Sequence, residues 1–448
     1  MDSLELFEWE RGNKQSPFKD SELSALKKFN DLIVRKEKAN ALTVTFGKIH
    51  TYSFVGIIQI GKKRIEILPK LYNPDKDTSL NSLSDIEKEK VYRTARKNLF
   101  SLLSISGLIP FYKSKLSKYG KEKDFYEFLI SLFLTDLERI MGTSFHHEYM
   151  DQTDEMRHIK GKLNYKEQVL KLPSDLHTFS CNFDEFSIDN PLNRLIKAAL
   201  LKIQRVSRNE DNKKRAFHFY TLMHEIQDEI ISPSYMSKLH FTRLNENLKG
   251  VVEFSFMILF GSTYSAEEGP QQFYALIFDM NLVFEKYVTK LLRNTFQEYT
   301  FYYQHDLHLA SEYHSSNEYS RNKKRVTPDI IVTEKGNPLA IIDTKYKPDF
   351  SNGFIKNADI YQMMAYSVAN ESDNALLLFP NIRREDKLKE KESFVVLDKL
   401  VTKKKLDRSI LISAYAIQLF DERGKIRKTL ADEDTCTIKN VISKKIEQ

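Results

Sequence analysis

The sequence predicts a mixed α/β protein: a mixed sheet flanked by helices over roughly residues 250–448, a helical middle region before it, and a β-rich amino-terminal module. Three observations carry this prediction. Short aliphatic runs flank a pair of aspartates, Asp329 and Asp343. Longer runs with apolar residues at helical spacing lie on both sides of that pair. Near the amino terminus, brief strand-like runs alternate with glycine-bearing turns.

In chain order, Ala41–Phe46, Phe54–Ile60 and Arg64–Leu68 read as strands, and the polar stretch Pro74–Glu89 reads as a loop or linker. Val91–Leu108 and Phe125–Phe145 show helical apolar spacing. Asn190-Pro191 opens a further helix over Leu192–Leu201, because asparagine caps and proline fits a first helical turn. Phe273–Phe296 reads as one helix, with Leu276, Met280, Val283, Phe284, Tyr287, Val288 and Leu291 on its apolar face and Glu285 on its flank. Ile330–Val332 and Leu339–Ile342 are short buried strands joined by the turn Glu334–Pro338. A helix over Ala358–Ala369 follows a Gly353-containing loop, and Ala375–Pro380 is another buried strand. These elements divide the chain into residues 1–170, 171–249 and 250–448.

The hairpin is where chemistry concentrates. Asp343 and Lys345 are two apart on one strand and share a face, and Asp329 at the start of the other strand comes alongside Asp343. Carboxylate oxygens suit Mg2+, which binds a phosphate oxygen and lowers the pKa of a water. A lysine beside them orients the attacking water or offsets charge growing on a phosphorane. An isolated Asp-x-Lys is otherwise a charged strand end. Glu285 is either a third acidic ligand or a solvent-facing partner of Lys286 or Lys290, the latter favoured by spacing alone. Gln362 either hydrogen-bonds a metal-bound water or a DNA phosphate, or is an exposed glutamine between core turns.

The 69 Lys and Arg against 62 Asp and Glu give a formal charge of +7, which permits nucleic-acid binding without indicating it. The cluster containing Arg321, Lys323, Lys324 and Arg325 precedes the first hairpin strand, where it can hold DNA phosphates or form a solvated loop; Arg383-Arg384 and Lys403–Lys405 lie further on. Two cysteines, Cys181 and Cys436, make neither a disulfide framework nor a metal-ligand spacing. The amino terminus has no signal-peptide core, and apolar runs such as Phe254–Gly261 are too short for a bilayer, so a soluble cytoplasmic protein with no membrane partner is expected. His146-His147 lacks a ligand pattern, capping and packing account for Asp184, Glu185 and Asp189, and His224 and Glu225 lack a partner motif and take no catalytic role. No phosphate-binding Gly-x-x-x-x-Gly-Lys-Ser/Thr loop occurs, so the chain does not itself power translocation on DNA.

Asp279–Val288, Thr327–Val332, Ile342–Lys347 and Asp359–Tyr366 together resemble the PD-(D/E)xK restriction-endonuclease superfamily and, within it, the McrC family. Tyr52–Lys70 and Lys160–Lys162 continuing to Cys181–Arg194 resemble the same family, so the likeness runs from about residue 50 to about 380. The resemblance implies a restriction-endonuclease-like sheet with Glu285, Asp329, Asp343, Lys345 and Gln362 at its acidic, lysine and glutamine positions. It also implies a Mg2+-dependent endonuclease cutting double-stranded DNA, with a McrB-like AAA+ GTPase hexamer as partner. GTP would then be bound by the partner and not by this chain, residues 1 to about 170 would engage the ring, and the substrate would contain modified cytosine. Two other readings remain open: a nuclease subunit of another defence system cutting unmodified sites, and a non-catalytic DNA-binding regulator of an AAA+ ring.

Overall fold

The computed structural model describes residues 3–10, 16–61, 63–71, 84–109, 124–141, 146–171, 177–261, 273–313, 319–347, 355–381, 392–396 and 410–443. Its contacts divide the chain into two compact units, residues 1–109 with 277–448 and residues 110–276. The units do not follow the division 1–170, 171–249 and 250–448, because the amino-terminal strands and helices pack with the carboxy-terminal half of the chain.

The discontinuous unit begins with β1 (Ser3–Phe7), α1 (Asp20–Glu37), β2 (Leu42–Thr45), β3 (Lys48–Thr51), β4 (Phe54–Ile60), β5 (Lys63–Leu68) and α2 (Asp85–Ile105). β4 and β5 pair antiparallel and β1 adds parallel to β5. Ile57, Ile58, Ile65 and Ile67 are buried on both faces of this small sheet, so the runs lack the alternation of a half-solvated strand. Helix α2 starts inside the stretch expected to be linker: Ser84 and Glu87 form a capping box that satisfies the free N–H groups of its first turn. Arg96 of α2 returns to the sheet, where its guanidinium is held by Glu66 at 2.6 Å and by Glu5. Buried charges of this kind require such pairing.

Residues 110–276 contain α3 (Phe125–Met141), β6 (Glu148–Met156), β7 (Lys162–Leu163), α4 (Tyr165–Val169), β8 (Phe179–Ser187), α5 (Pro191–Val206), α6 (Glu210–Leu222) and α7 (Lys249–Phe260). α5 buries Leu192, Leu195, Ile196, Ala199, Leu200 and Ile203, a stripe at helical spacing. Its start is as expected: Asn190 accepts from the Asn193 N–H, Pro191 occupies the first turn, and Asp189 pairs with Arg194 at 2.7 Å. Asp184 and Glu185 lie instead on β8, in the antiparallel sheet β6-β8-β7.

The stretch Phe273–Phe296 is not one helix. It is β9 (Phe273–Asp279), which joins the sheet in the order β1-β5-β4-β9, followed by α8 (Met280–Thr295). The run Tyr274–Ile277 is buried throughout and has no polar face for a helix to present, while Asp279 caps α8 by accepting from the Asn281 N–H.

The discontinuous unit then continues with β10 (Thr300–Tyr303), β11 (Leu307–Tyr313), β12 (Tyr319–Val326), β13 (Ile330–Glu334), β14 (Asn337–Thr344), α9 (Asn357–Asn370), β15 (Asn374–Asn381), β16 (Glu392–Val396), β17 (Ile410–Gln418) and α10 (Asp432–Ser443). Six strands form a mixed sheet ordered β10-β13-β14-β15-β17-β16, with β14, β15 and β17 parallel at its centre. One face packs Ile341, Ala375, Leu377, Phe379, Ile412 and Ala414 against Met363 and Tyr366 of α9. The opposite face is held to α10, where the Tyr415 hydroxyl donates to Asp434. The sheet flanked by helices is therefore as expected, although β10, β11 and β12 lie between α8 and the hairpin. Among the described residues, no helix is long and apolar enough to cross a membrane.

Candidate active site

The hairpin β13–β14 aligns Ile330 with Ile342 and Val332 with Ala340, so the next step of the ladder sets Asp329 opposite Asp343. Its tip is Lys335-Gly336, both at positive φ (51° and 86°), as the tight turns that match strand twist require. Asp343 shares the face of Ile341 that packs against α9. It is 1 % exposed, a position that few carboxylates occupy without a partner.

That partner is Lys345, whose Nζ lies 2.7 Å from Asp343 Oδ2 and donates to Gln362 Oε1 at 2.9 Å. Gln362 in turn donates to the Tyr366 hydroxyl at 2.6 Å, one turn along α9. The glutamine is therefore fixed at both ends and is not a free surface side chain. Asp329 is held by residue 344: its Oδ2 accepts from the Thr344 N–H and from the Thr344 hydroxyl, each at 2.7 Å. Glu285, on α8, is buried and accepts from Gln304 Nε2 at 2.8 Å, so it is not the solvent-facing partner of Lys286 or Lys290 that spacing favoured. Gln304 also donates its backbone N–H to the Asp329 carbonyl at 2.9 Å and holds a left-handed φ of 45°. Neither Gln304 nor Thr344 was singled out by sequence; Thr344 sits inside the motif, whereas Gln304 carries no motif at all.

The electrostatics join the acids into one group. Burial first, then Asp329 and, more weakly, Asp343, push the Glu285 carboxyl up to about 7. Burial and the charge of Asp329 raise Asp343 to about 6 although Lys345 opposes them. Burial likewise raises Asp329, against the Thr344 hydrogen bonds. For Lys345 burial disfavours the charged form, but Asp343 and Asp329 outweigh it and hold the ammonium above its ordinary range. Two buried acids, Asp343 and Glu285, and the half-buried Asp329 against one lysine leave an excess of negative charge that a cation would relieve. Among the described residues no three His, Cys, Asp or Glu side chains are gathered into a ready-made metal cage.

The basic residues ahead of the hairpin belong to strand β12, paired with β11, rather than to a loop. Lys324 and Arg325 are exposed, and Arg325 Nη1 lies 3.5 Å from Asp306 Oδ2. The side chains of Arg321 and Lys323 lie outside the described residues, as do Arg383-Arg384 and Lys403–Lys405. His147 stacks on Phe186, and His224 pairs with Glu225 at 3.7 Å on the surface.

Comparison with known proteins adds the following. The sequence model of the family described as McrBC 5-methylcytosine restriction system component matches residues 49–380. No curated protein matches the chain. Among solved structures, the fold is similar to a chain of the refined half-complex from a tetradecameric assembly of Thermococcus gammatolerans McrB AAA+ hexamers with bound McrC. That likeness has 19% sequence identity and a TM-score of 0.68, and covers 98% of this chain and 100% of that one. The cryo-EM structure of the Thermococcus gammatolerans McrBC complex matches at 21% identity and a TM-score of 0.49, over 64% of this chain and 85% of that chain.

Proposed function

The chain belongs to the family of McrBC 5-methylcytosine restriction system components, and from that membership we propose that it is the DNA-cutting subunit of a two-component restriction system. In this reading the six-stranded sheet with its acidic hairpin is a PD-(D/E)xK nuclease core, and the substrate is double-stranded DNA carrying modified cytosine. The partner is an AAA+ GTPase ring of McrB type, as in the assembly whose fold is similar, and it binds the GTP. The observation that carries the reading is the pairing of Asp343 and Lys345 on one strand end, with Gln362 on the lysine and Asp329 and Glu285 alongside.

Asp329 and Asp343, with Glu285, are the residues that would hold Mg2+, and the ion when bound supplies a Lewis acid for the phosphate and a lowered pKa for water. The remaining work falls to this chain. Lys345, kept charged by Asp343 and Asp329, offers a fixed cation at the strand end where charge grows on the phosphorane or where a water must be oriented. Gln362 restricts the ammonium to one position, and Tyr366 restricts Gln362. Thr344 and Gln304 hold Asp329 and Glu285 in place without adding charge. Lys324 and Arg325, with Arg321 and Lys323 on the same strand, supply phosphate contacts.

The test is cleavage of modified DNA by the full chain with its AAA+ partner. Asp343→Ala and Lys345→Ala should each abolish cutting while leaving partner association and GTPase stimulation intact. Normal Mg2+-dependent cutting by folded Asp343→Ala protein would overturn the assignment.

A further inference from the structure

The residue after the lysine ties the site to the first strand of the chain. Tyr346 is buried, and its hydroxyl donates to Glu8 Oε1 at 2.7 Å. The Lys70 backbone N–H donates to the same oxygen at 2.8 Å. Glu8 directly follows β1, is fully buried, and is anchored by its own N–H on the Leu68 carbonyl at 2.8 Å. On the other side, the Tyr346 ring lies 5.8 Å from that of Phe284, the residue before Glu285 on α8. Tyr346 thus stands between the backbone of Lys345 and the helix that carries the third acid, with its polar end held by Glu8.

Glu8 buries a carboxyl whose Oε2 has no hydrogen-bond partner among the described residues, and burial lifts its pKa to about 7. An unsatisfied buried polar atom weakens a fold, and such local costs gather where the fold serves a site.

We propose that Glu8 is a positioning residue for DNA cleavage, acting through the Tyr346 hydroxyl to fix the strand end that carries Asp343 and Lys345. This rests on the nuclease reading above. Outer groups that orient catalytic ones are worth roughly 10-fold or more in activity when removed.

The experiment compares the full-length wild type, Lys345→Ala, Tyr346→Phe, Glu8→Leu, Glu8→Gln and the Tyr346→Phe/Glu8→Leu double variant. Each is assayed with the AAA+ partner for single-turnover cleavage rate, DNA affinity and thermal midpoint. Tyr346→Phe and Glu8→Leu should each lower the rate about 10-fold without changing DNA affinity, and the double variant should be no slower than either. Glu8→Gln keeps the accepting oxygen and should cut at close to the wild-type rate. A merely structural role would lower the thermal midpoint and leave the rate of the folded fraction unchanged. A wild-type rate in Tyr346→Phe, multiplied losses in the double variant, or a Glu8→Gln protein as slow as Glu8→Leu would overturn the proposal. Should Glu8→Leu not fold, Tyr346→Phe and Glu8→Gln decide the question. Failure of the nuclease reading itself would appear as uncut DNA with wild type or full cutting by Lys345→Ala, and would remove this proposal with it.

Discussion

Replacing Glu285 with glutamine separates the cost of the acidic cluster from its use. Glutamine keeps an oxygen for the Gln304 amide, so the charge is what changes. Burial, then the neighbouring Asp329, lifts the carboxyl from 4.5 to about 7. Because the folded pKa lies above the unfolded one, the folded protein binds more protons between those values, and stability falls as pH rises from 4.5 through about 7. At about 1.36 kcal/mol for each tenfold change in proton affinity, the lift corresponds to roughly 3 kcal/mol, which solvent around the carboxylate reduces to about 1–2 kcal/mol. In chelator at pH 8, Glu285→Gln should therefore be more stable than wild type by about 1–2 kcal/mol in urea unfolding, and the gain should shrink as pH is lowered toward 4.5. Added Mg2+ should stabilise wild type more than the variant, since a ligand stabilises only the state that binds it. A Glu285→Gln protein no more stable than wild type at pH 8 would refute the view that Glu285 is a buried charge repelled by Asp329.

Two further outcomes are expected. Lys324→Ala and Arg325→Ala should weaken DNA binding about equally across sequences and flatten its salt dependence by about one counterion each, measured by fluorescence anisotropy across a salt series. Removing residues 1–109 strips β1 and Glu8 from Tyr346 and α2 from α8, so the remaining carboxy-terminal half should lose cooperative unfolding in calorimetry rather than survive as an independently folded unit.

The acidic hairpin was legible because its signals are local: a glycine turn, two aliphatic runs, and a period of two that puts Asp343 and Lys345 on one face. The helix carrying Gln362 was legible for the same reason. Phe273–Asp279 was not, since an all-apolar run has no polar face to give it a period and was absorbed into the amphipathic helix that follows. The orientation of Glu285 escaped because lysines flank it in sequence, while the residues that claim it come from β10 and the hairpin. The link from Glu8 to Tyr346 spans 338 positions, and nothing in either neighbourhood announces it.

The discontinuous build of the larger unit sets an order of events during synthesis. At about 5–20 residues per second, roughly 17–70 s separate the emergence of Glu8 from that of Tyr346, and residues 110–276 are completed in between. The early strands β1, β4 and β5 must wait through that interval with apolar surface still uncovered, while the intervening unit has its whole sequence available first. An incomplete chain released from the ribosome before residue 343 therefore carries neither Asp343 nor Lys345, and leaves Glu8 with the Lys70 N–H but without the Tyr346 hydroxyl. Such a fragment lacks the acidic strand end and has an unfinished core, which leaves its early strands open to proteolysis.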